Sequence, residues 1–338
     1  PRWTAGRVLL AVLGTIVVGL TGAIAAVLWG AAVGLVAMGL GAVFLPLVLD
    51  GATLISEPLF VALELGAVLA VLLHRRRGGG VRWAVAAGLL VGLAALTRSN
   101  GVLLGLPLLV AVMGRHRWLG AGCFAATAIL VVAPWTIRNA EVLSAFVPVS
   151  TETGPTLLGT YNESSRTRPG CPGCWLLLSA IPAQQGLARR LHALGEVQRD
   201  RESRSLATRF ALDHPGCVAE VAWGNSLRLL ELGGAKRIRF AASTIDVPPG
   251  AAIAGAFELW LALALAAAAA LRRVPPGLLA LVAFLWLTTV VVQSETPRFR
   301  APLDPFLLML AALGASALRR RAAGRGRSSA SPPPSRTG

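Results

Sequence analysis

The chain has 338 residues, of which 55% are apolar and only 14% are charged, and its mean hydropathy is +0.66. Soluble domains contain roughly a quarter charged residues, so this composition excludes an ordinary soluble domain and indicates a polytopic membrane protein. The net charge of +16 does not indicate a nucleic-acid partner. Most of the arginines stand at the ends of apolar runs, as membrane topology requires, or in one long hydrophilic stretch, and not along a groove-reading motif.

Apolar runs recur along the chain and predict an all-α integral membrane protein with about nine transmembrane helices and one long exoplasmic loop. The fourth and fifth runs are short, and a helical hairpin through residues 97–101 is an alternative to two full spans. In chain order, the nine predicted spans are Arg7–Leu28, Ala31–Leu49, Pro58–Leu73, Val81–Leu96, Val102–Met113, Leu119–Ile137, Ala251–Leu271, Gly277–Val292 and Pro302–Leu318.

The basic residues predict the orientation of these spans. If every run crosses the membrane, four basic clusters share one side, which the positive-inside rule makes the cytoplasm. The predicted protein is therefore a multi-pass plasma-membrane protein with its long loop extracellular or periplasmic and its C-terminus cytoplasmic. The four clusters are His74–Arg77 with Arg82, Arg115–Arg117, Arg272–Arg273 and Arg319–Arg321.

The same reading divides the chain into four regions. Residues 1–137 form an N-terminal transmembrane bundle, 138–250 an exoplasmic loop subdomain, 251–318 the C-terminal transmembrane helices, and 319–338 a disordered basic tail at the anionic headgroups. Gly, Pro, Ser and Thr predict turns in the first part of the loop, whereas helical spacing predicts amphipathic helices further on, including Cys217–Leu232.

Cys171 and Cys174 form a CPGC motif in this loop. On the oxidising side of a membrane, a small disulfide staple is the favoured interpretation, while an incidental reduced pair or a redox role stays open. No second such motif or histidine pair completes a zinc site, so we expect neither a metal nor a cofactor.

Five polar stretches fall on the predicted outer face, and their arginines indicate a site for an anionic headgroup. The planar guanidinium suits phosphate, and a phosphate on a lipid would bring its own tail into the bilayer. Purely structural interpretations of these residues are alternatives to a binding site. Arginines near helix ends often contact bulk lipid phosphates, and Glu57 and Asp304 would start helices. Glu64 and Glu258 would pair with neighbours. The stretches contain Asp50 and Glu57; Arg98 and Asn100; Trp135, Arg138 and Asn139; Tyr161 and Asn162; and Glu295, Arg298 and Arg300.

Several segments, taken in this order, resemble a known family. They are LISEPLFVALELGAVLAVLLHRR, LTRSNGVLLGLPLL, VVAPWTIRNAEVLSAFVPVSTETGPTLLGTYN, LDHPG and SETPRFRAPLDPFLLMLAALG. Together they look like the polytopic GT-C glycosyltransferases of the dolichyl-phosphate-mannose protein mannosyltransferase and lipid A aminoarabinose transferase type. The resemblance extends from about Arg7 to Leu318.

This resemblance implies inverting transfer of a sugar from a polyprenyl-phosphate-linked donor to a glycan, lipid or protein acceptor of the cell envelope. A carboxylate would act as the general base and cationic side chains would hold the leaving phosphate. Arg98, Arg138, Arg298 and Arg300 are the candidates for the donor phosphate. The sugar and acceptor pocket would contain Glu57, Asn100, Tyr161, Asn162 and Glu295.

The first predicted span resembles the second span of the family. We therefore expect the family's catalytic Asp before Pro1, and we expect this chain on its own to transfer no sugar. The main alternative function is a polytopic transporter or lipid-linked-sugar flippase, in which the polar site would lie at mid-membrane. A catalytically inactive scaffold is the third.

Overall fold

The computed structural model describes residues 2–76, 80–113, 117–243, 247–292 and 296–328. All regular secondary structure in these ranges is helical, which confirms the all-α fold. Each of the nine predicted spans coincides with a helix or, for the second span, with a bent helix pair. The first seven helices are α1 (Arg2–Trp29), α2 (Ala31–Val43), α3 (Leu45–Ala52), α4 (Glu57–Arg76), α5 (Val81–Thr97), α6 (Gly101–Val112) and α7 (Arg117–Leu143).

Fewer helices than nine are long and apolar enough to cross a membrane on their own. Four stretches qualify in the described ranges: Thr4–Trp29, Glu57–Arg76, Trp118–Leu143 and Pro249–Ala270. The pair α2 and α3, bent by 56°, makes a fifth if it is one broken span. Helices α5 and α6 are apolar but shorter, so the alternative of a hairpin at this point stays a prediction.

The break between α2 and α3 has a local cause. Pro46 lies in the first turn of α3 and has no backbone N–H, so the helix cannot continue through Phe44. The backbone N–H of Leu45, which the break leaves without a helix partner, donates to Glu258 Oε2 at 2.6 Å. This side chain satisfies the N–H group where water is absent. Glu258 therefore pairs as predicted, and the bend directs α3 and Asp50 toward the start of α4.

Helices α5 and α7 pack backbone to backbone. A Cβ on Gly88 would lie 2.2 Å from the carbonyl oxygen of Phe124, and one on Gly92 would lie 2.9 Å from that of Ala128. Small residues at such points let apolar helices approach closely where water supplies no driving force.

The predicted loop subdomain is mostly helical. Its first part was predicted as turns, yet it contains two short helices. The second of them starts at Asn162, whose side chain accepts a hydrogen bond from the backbone N–H of Ser165. Leu158, Tyr161, Leu191, Ala207, Cys217 and Val221 form a separate buried core here. The helices are α8 (Thr153–Thr160), α9 (Glu163–Arg166), α10 (Gln185–His192), α11 (Glu196–Asp213), α12 (Pro215–Leu229) and α13 (Ala235–Ser243).

Three helices complete the fold: α14 (Pro249–Ala267), α15 (Pro276–Val292) and α16 (Asp304–Ser328). The subdomain holds the end of α15 through three side chains, which donate to its last carbonyl groups. Asn225 bonds Val290 O at 2.6 Å, Tyr161 bonds Val291 O at 2.6 Å and Thr160 bonds Val292 O at 3.1 Å. Carbonyl groups near a helix end need partners from outside the helix, and these side chains supply them.

The predicted disordered tail begins at Arg319, whereas α16 continues to Ser328, and residues 329–338 lie outside the described part. A disordered tail therefore stays a prediction. Glu64 was predicted to pair with a neighbour, yet it is fully buried and neither carboxylate oxygen has a hydrogen-bond partner among the described residues.

Candidate functional site

Two arginines from distant parts of the sequence converge on one carboxylate. Glu57, at the first turn of α4, is 2% exposed and forms an ion pair with Nη1 of Arg98, which follows α5. Nε of Arg298, in the 3-10 turn Pro297–Arg300, lies 3.8 Å from the same Oε1 atom. Since Glu57 is the anionic partner of both side chains, it holds their positive charges together at one end of the helix bundle.

An aromatic ring and a hydroxyl group complete this cluster. The ring of Phe299 lies 5.0 Å from the guanidinium carbon of Arg298 and 5.9 Å from that of Arg98. Nη1 of Arg98 also donates to Ser56 Oγ at 3.2 Å. Contacts with the ring face and the hydroxyl orient both planar groups, while about a fifth of the Arg98 side chain and over a third of the Arg298 side chain stay exposed.

Two donor atoms of this cluster are buried and form no hydrogen bond among the described residues. They are Arg298 Nε and Thr296 Oγ1. Buried donors of this kind are uncommon in native proteins, and they suit an anionic ligand with several oxygen atoms. Glu295, a predicted pocket residue one position earlier, lies outside the described residues.

A cavity of about 600 Å³ opens next to the cluster between α1, α2, α3 and α4. Most of its wall is apolar, but Arg7, Thr15, Asp50 and Glu57 line it as well. Asp50 also interacts electrostatically with Asp304, Glu57, Arg300 and Arg298. The sequence reading missed Arg7, because an arginine at the start of an apolar run looks like an ordinary membrane-end residue.

A second cavity of about 610 Å³ lies between α5, α6 and α7. It is apolar throughout except for Thr136, and its wall includes Ala95 and Val102, which flank the Arg98 turn. The apolar cavity therefore begins about one helical turn from Arg98.

Arg300 lies apart from the exposed arginines, although the sequence groups it with them. It is 3% exposed, its Nε donates to Asp304 Oδ1 at 2.7 Å, and its Nη1 donates to Leu229 O at 2.6 Å. Glu231 lies 3.8 Å from the same guanidinium. Burial raises the pKa of Glu231 above its ordinary value, and the charge of Arg300 opposes that rise.

The structure does not join Arg138 or Asn100 to the cluster. Arg138 is exposed, donates to Asn139 Oδ1 at 3.1 Å and lies 5.0 Å from the ring of Trp135. Asn100 is exposed and stands before α6 without capping it.

Tyr161 and Asn162 are buried and have partners inside the protein. The Tyr161 hydroxyl donates to Val291 O, and burial raises the pKa of Tyr161 to about 12. The Asn162 amide donates to Leu158 O at 2.7 Å and to Gly159 O at 3.1 Å. Both side chains stabilise the subdomain and its junction with α15, and a role for them in sugar binding stays a prediction.

Cys171 and Cys174 are paired as a disulfide, with their Cα atoms 5.6 Å apart. Within the described residues, no group of three or more His, Cys, Asp or Glu side chains is arranged to hold a metal ion.

Comparison with known proteins gives no relative for this chain. No protein-family model, no curated protein and no solved structure matches it significantly.

Proposed function

We propose that this protein is a membrane glycosyltransferase that moves a sugar from a polyprenyl-phosphate-linked donor to an acceptor on the outer face of the membrane. The observation that carries the proposal is the convergence of Arg98 and Arg298 on Glu57 beside a cavity of about 600 Å³. Paired guanidinium groups bind phosphate oxygens through charge-assisted hydrogen bonds, and a developing phosphate charge in sugar transfer needs such donors.

In this proposal the cluster and the two cavities have separate tasks. Arg98, Arg298 and the hydroxyl group of Thr296 bind the phosphate. Asp50 and Glu57 face the sugar in the first cavity, where carboxylates accept hydrogen bonds from hydroxyl groups. The apolar cavity that begins about one helical turn from Arg98 receives the first part of the prenyl chain. The general base that the family resemblance implies is not assigned to a residue of this sequence.

Binding of a fluorescent polyprenyl-phosphate sugar to the protein in nanodiscs tests this proposal. Removing one charge-assisted hydrogen bond costs about 1.5–3 kcal/mol, so Arg98→Gln and Arg298→Gln should each weaken binding by at least about tenfold. Arg82→Gln is the matched control, because Arg82 is exposed at the opposite end of α5. Equal losses in all three variants, or equal competition by the uncharged polyprenol, would refute a phosphate site at this cluster.

A transporter is the second candidate, and Glu64 is the observation that favours it. A fully buried carboxyl group without a hydrogen-bond partner in the described residues, in the middle of an apolar helix, is typical of proton-coupled transport. Proton uptake into proteoliposomes with lipid-linked sugars tests it: transport that Glu64→Gln abolishes would support the transporter over the transferase.

A further inference from the structure

Two arginines of the subdomain surround the CPGC disulfide. Nη1 of Arg237 lies 2.9 Å from Cys171 Sγ, and its Nη2 lies 3.2 Å from Cys174 Sγ. Nη1 of Arg228 lies 3.5 Å from Cys171 Sγ. Arg237 is on α13 and Arg228 on α12, so separate helices bring both cations to the same pair of sulfur atoms.

Other contacts hold these arginines in place. Nη2 and Nε of Arg228 donate to Asn225 Oδ1 at 2.5 and 3.1 Å, and Asn225 is itself fixed by its bond to Val290 O. Cβ of a residue at Gly173 would lie 2.8 Å from the Val221 side chain, and Gly173 has a φ of 71°. The motif is therefore a rigid turn packed against α12, and its two sulfur atoms have a fixed position relative to both guanidinium groups.

A disulfide is neutral and a poor hydrogen-bond acceptor, whereas a thiolate is an anion that guanidinium groups stabilise strongly. Three guanidinium–sulfur contacts consequently favour the reduced pair over the disulfide. Oxidoreductases whose reduced form is stabilised in this way are more readily reduced than structural disulfides. A purely structural staple would gain nothing from cations at its sulfur atoms.

We propose that Cys171 and Cys174 form a redox-active pair that exchanges electrons with a dithiol, with Arg237 and Arg228 stabilising the reduced state. This inference does not rest on the glycosyltransferase proposal. Cys171 is 8% exposed and Cys174 is 1% exposed, so the incoming thiolate attacks Cys171 Sγ. The bond between the two cysteines breaks, and Cys174 leaves as a thiolate held by Arg237 Nη2.

In the mixed disulfide, one sulfur of the dithiol is bonded to Cys171 Sγ. The second thiol of the dithiol then attacks that dithiol sulfur. Cys171 is released as a thiolate next to Arg237 and Arg228, and the dithiol becomes a disulfide. Two electrons pass from the dithiol to the protein, and the two thiol protons go to solvent or to the new thiolates.

The test is the redox equilibrium of the 338-residue chain in detergent with buffers that contain oxidised and reduced dithiothreitol in known ratios. Thiols are trapped with acid and a maleimide and counted by mass spectrometry on the peptide that holds Cys171 and Cys174, which leaves Cys123 and Cys217 out of the measurement. We expect Arg237→Gln to shift the equilibrium constant at least about tenfold toward the disulfide, equivalent to about 30 mV for a two-electron couple.

Arg239→Gln is the control, because Arg239 is exposed on the same helix and, among the described residues, its side chain bonds only the carbonyl of Ala235. It should leave the equilibrium within about twofold of the unmodified protein. If Arg237→Gln fails to fold, Arg228→Gln should shift the equilibrium in the same direction. A disulfide that resists dithiothreitol in the folded protein, or an equilibrium unchanged in both variants, would overturn the proposal.

A second measurement tests the charge argument directly. In Cys174→Ser, the alkylation rate of Cys171 should reach half its maximum at least about one pH unit below the ordinary thiol value of about 8.5. Adding Arg237→Gln should return this midpoint toward the ordinary value. A midpoint at or above 8.5 with Arg237 in place would contradict the stabilised thiolate.

Discussion

Nε of Arg298 lies 3.8 Å from Oε1 of Glu57, the same carboxylate oxygen that Arg98 contacts. One buried anion thus fixes two cations that lie far apart in the sequence. This arrangement predicts how substitutions of Glu57 and of the neighbouring arginines change stability, and on which side of the membrane Arg98 and Arg298 lie.

Replacing Glu57 with Gln should destabilise the protein and separate the two arginines. The carboxylate is 2% exposed, but both arginines reach solvent, so we expect a loss of about 1–3 kcal/mol, less than for a fully buried pair. Thermal unfolding in detergent measures it. Glu163→Gln is the control, since Glu163 is 59% exposed in its pair with Arg166 and should cost under about 0.5 kcal/mol. Equal losses in both variants would contradict the role of Glu57.

Arg300 should behave as a structural residue, in contrast to Arg298. Its pair with Asp304 is almost fully buried on both sides, so Arg300→Met leaves a buried carboxylate and should cost about 3–5 kcal/mol. Arg298→Met should cost under about 1 kcal/mol, because Arg298 is over a third exposed. The double variant Arg300→Met/Asp304→Leu should recover part of the loss. A larger loss for Arg298→Met than for Arg300→Met would contradict these assignments.

Tyr161 should couple the subdomain to the end of α15. Tyr161→Phe removes the donor to Val291 O and leaves that carbonyl without its partner, so we expect a loss of about 1–3 kcal/mol in thermal unfolding. The same variant should keep the affinity for the polyprenyl-phosphate sugar within about threefold. An unchanged stability with a loss of affinity of tenfold or more would instead place Tyr161 in the sugar pocket, as the sequence predicts.

The sequence predicts the helices well because each apolar run has a length and composition that only a helix satisfies in a membrane. Acidic residues are favoured in the first turn of a helix, which predicts that helices start at Glu57 and Asp304. Both helix starts are confirmed. How many helices cross the membrane stays a prediction, because α5, α6 and α15 are shorter than a full span.

The site is harder to predict. Hydropathy indicates at which end of the helix bundle a residue lies, but it does not indicate which side chain that residue contacts. Arg298 and Arg300 look alike in the sequence, yet the 3-10 turn directs one to Glu57 and the other to Asp304. Arg7 lines the first cavity together with residues of α3, which follows the bend at Pro46. These differences arise from tertiary packing and leave no local signal.

Labelling from one side of the membrane shows whether Arg98 and Arg298 share one site on the outer face. Arg98→Cys and Arg298→Cys are expressed singly in cells, treated with a membrane-impermeant maleimide and quantified on their peptides, with Arg82→Cys as the marker of the opposite side. Both positions should react from the outer compartment, whereas Arg82→Cys should react only after the membrane is opened. Reaction of Arg98→Cys and Arg298→Cys from opposite compartments would contradict the shared phosphate site.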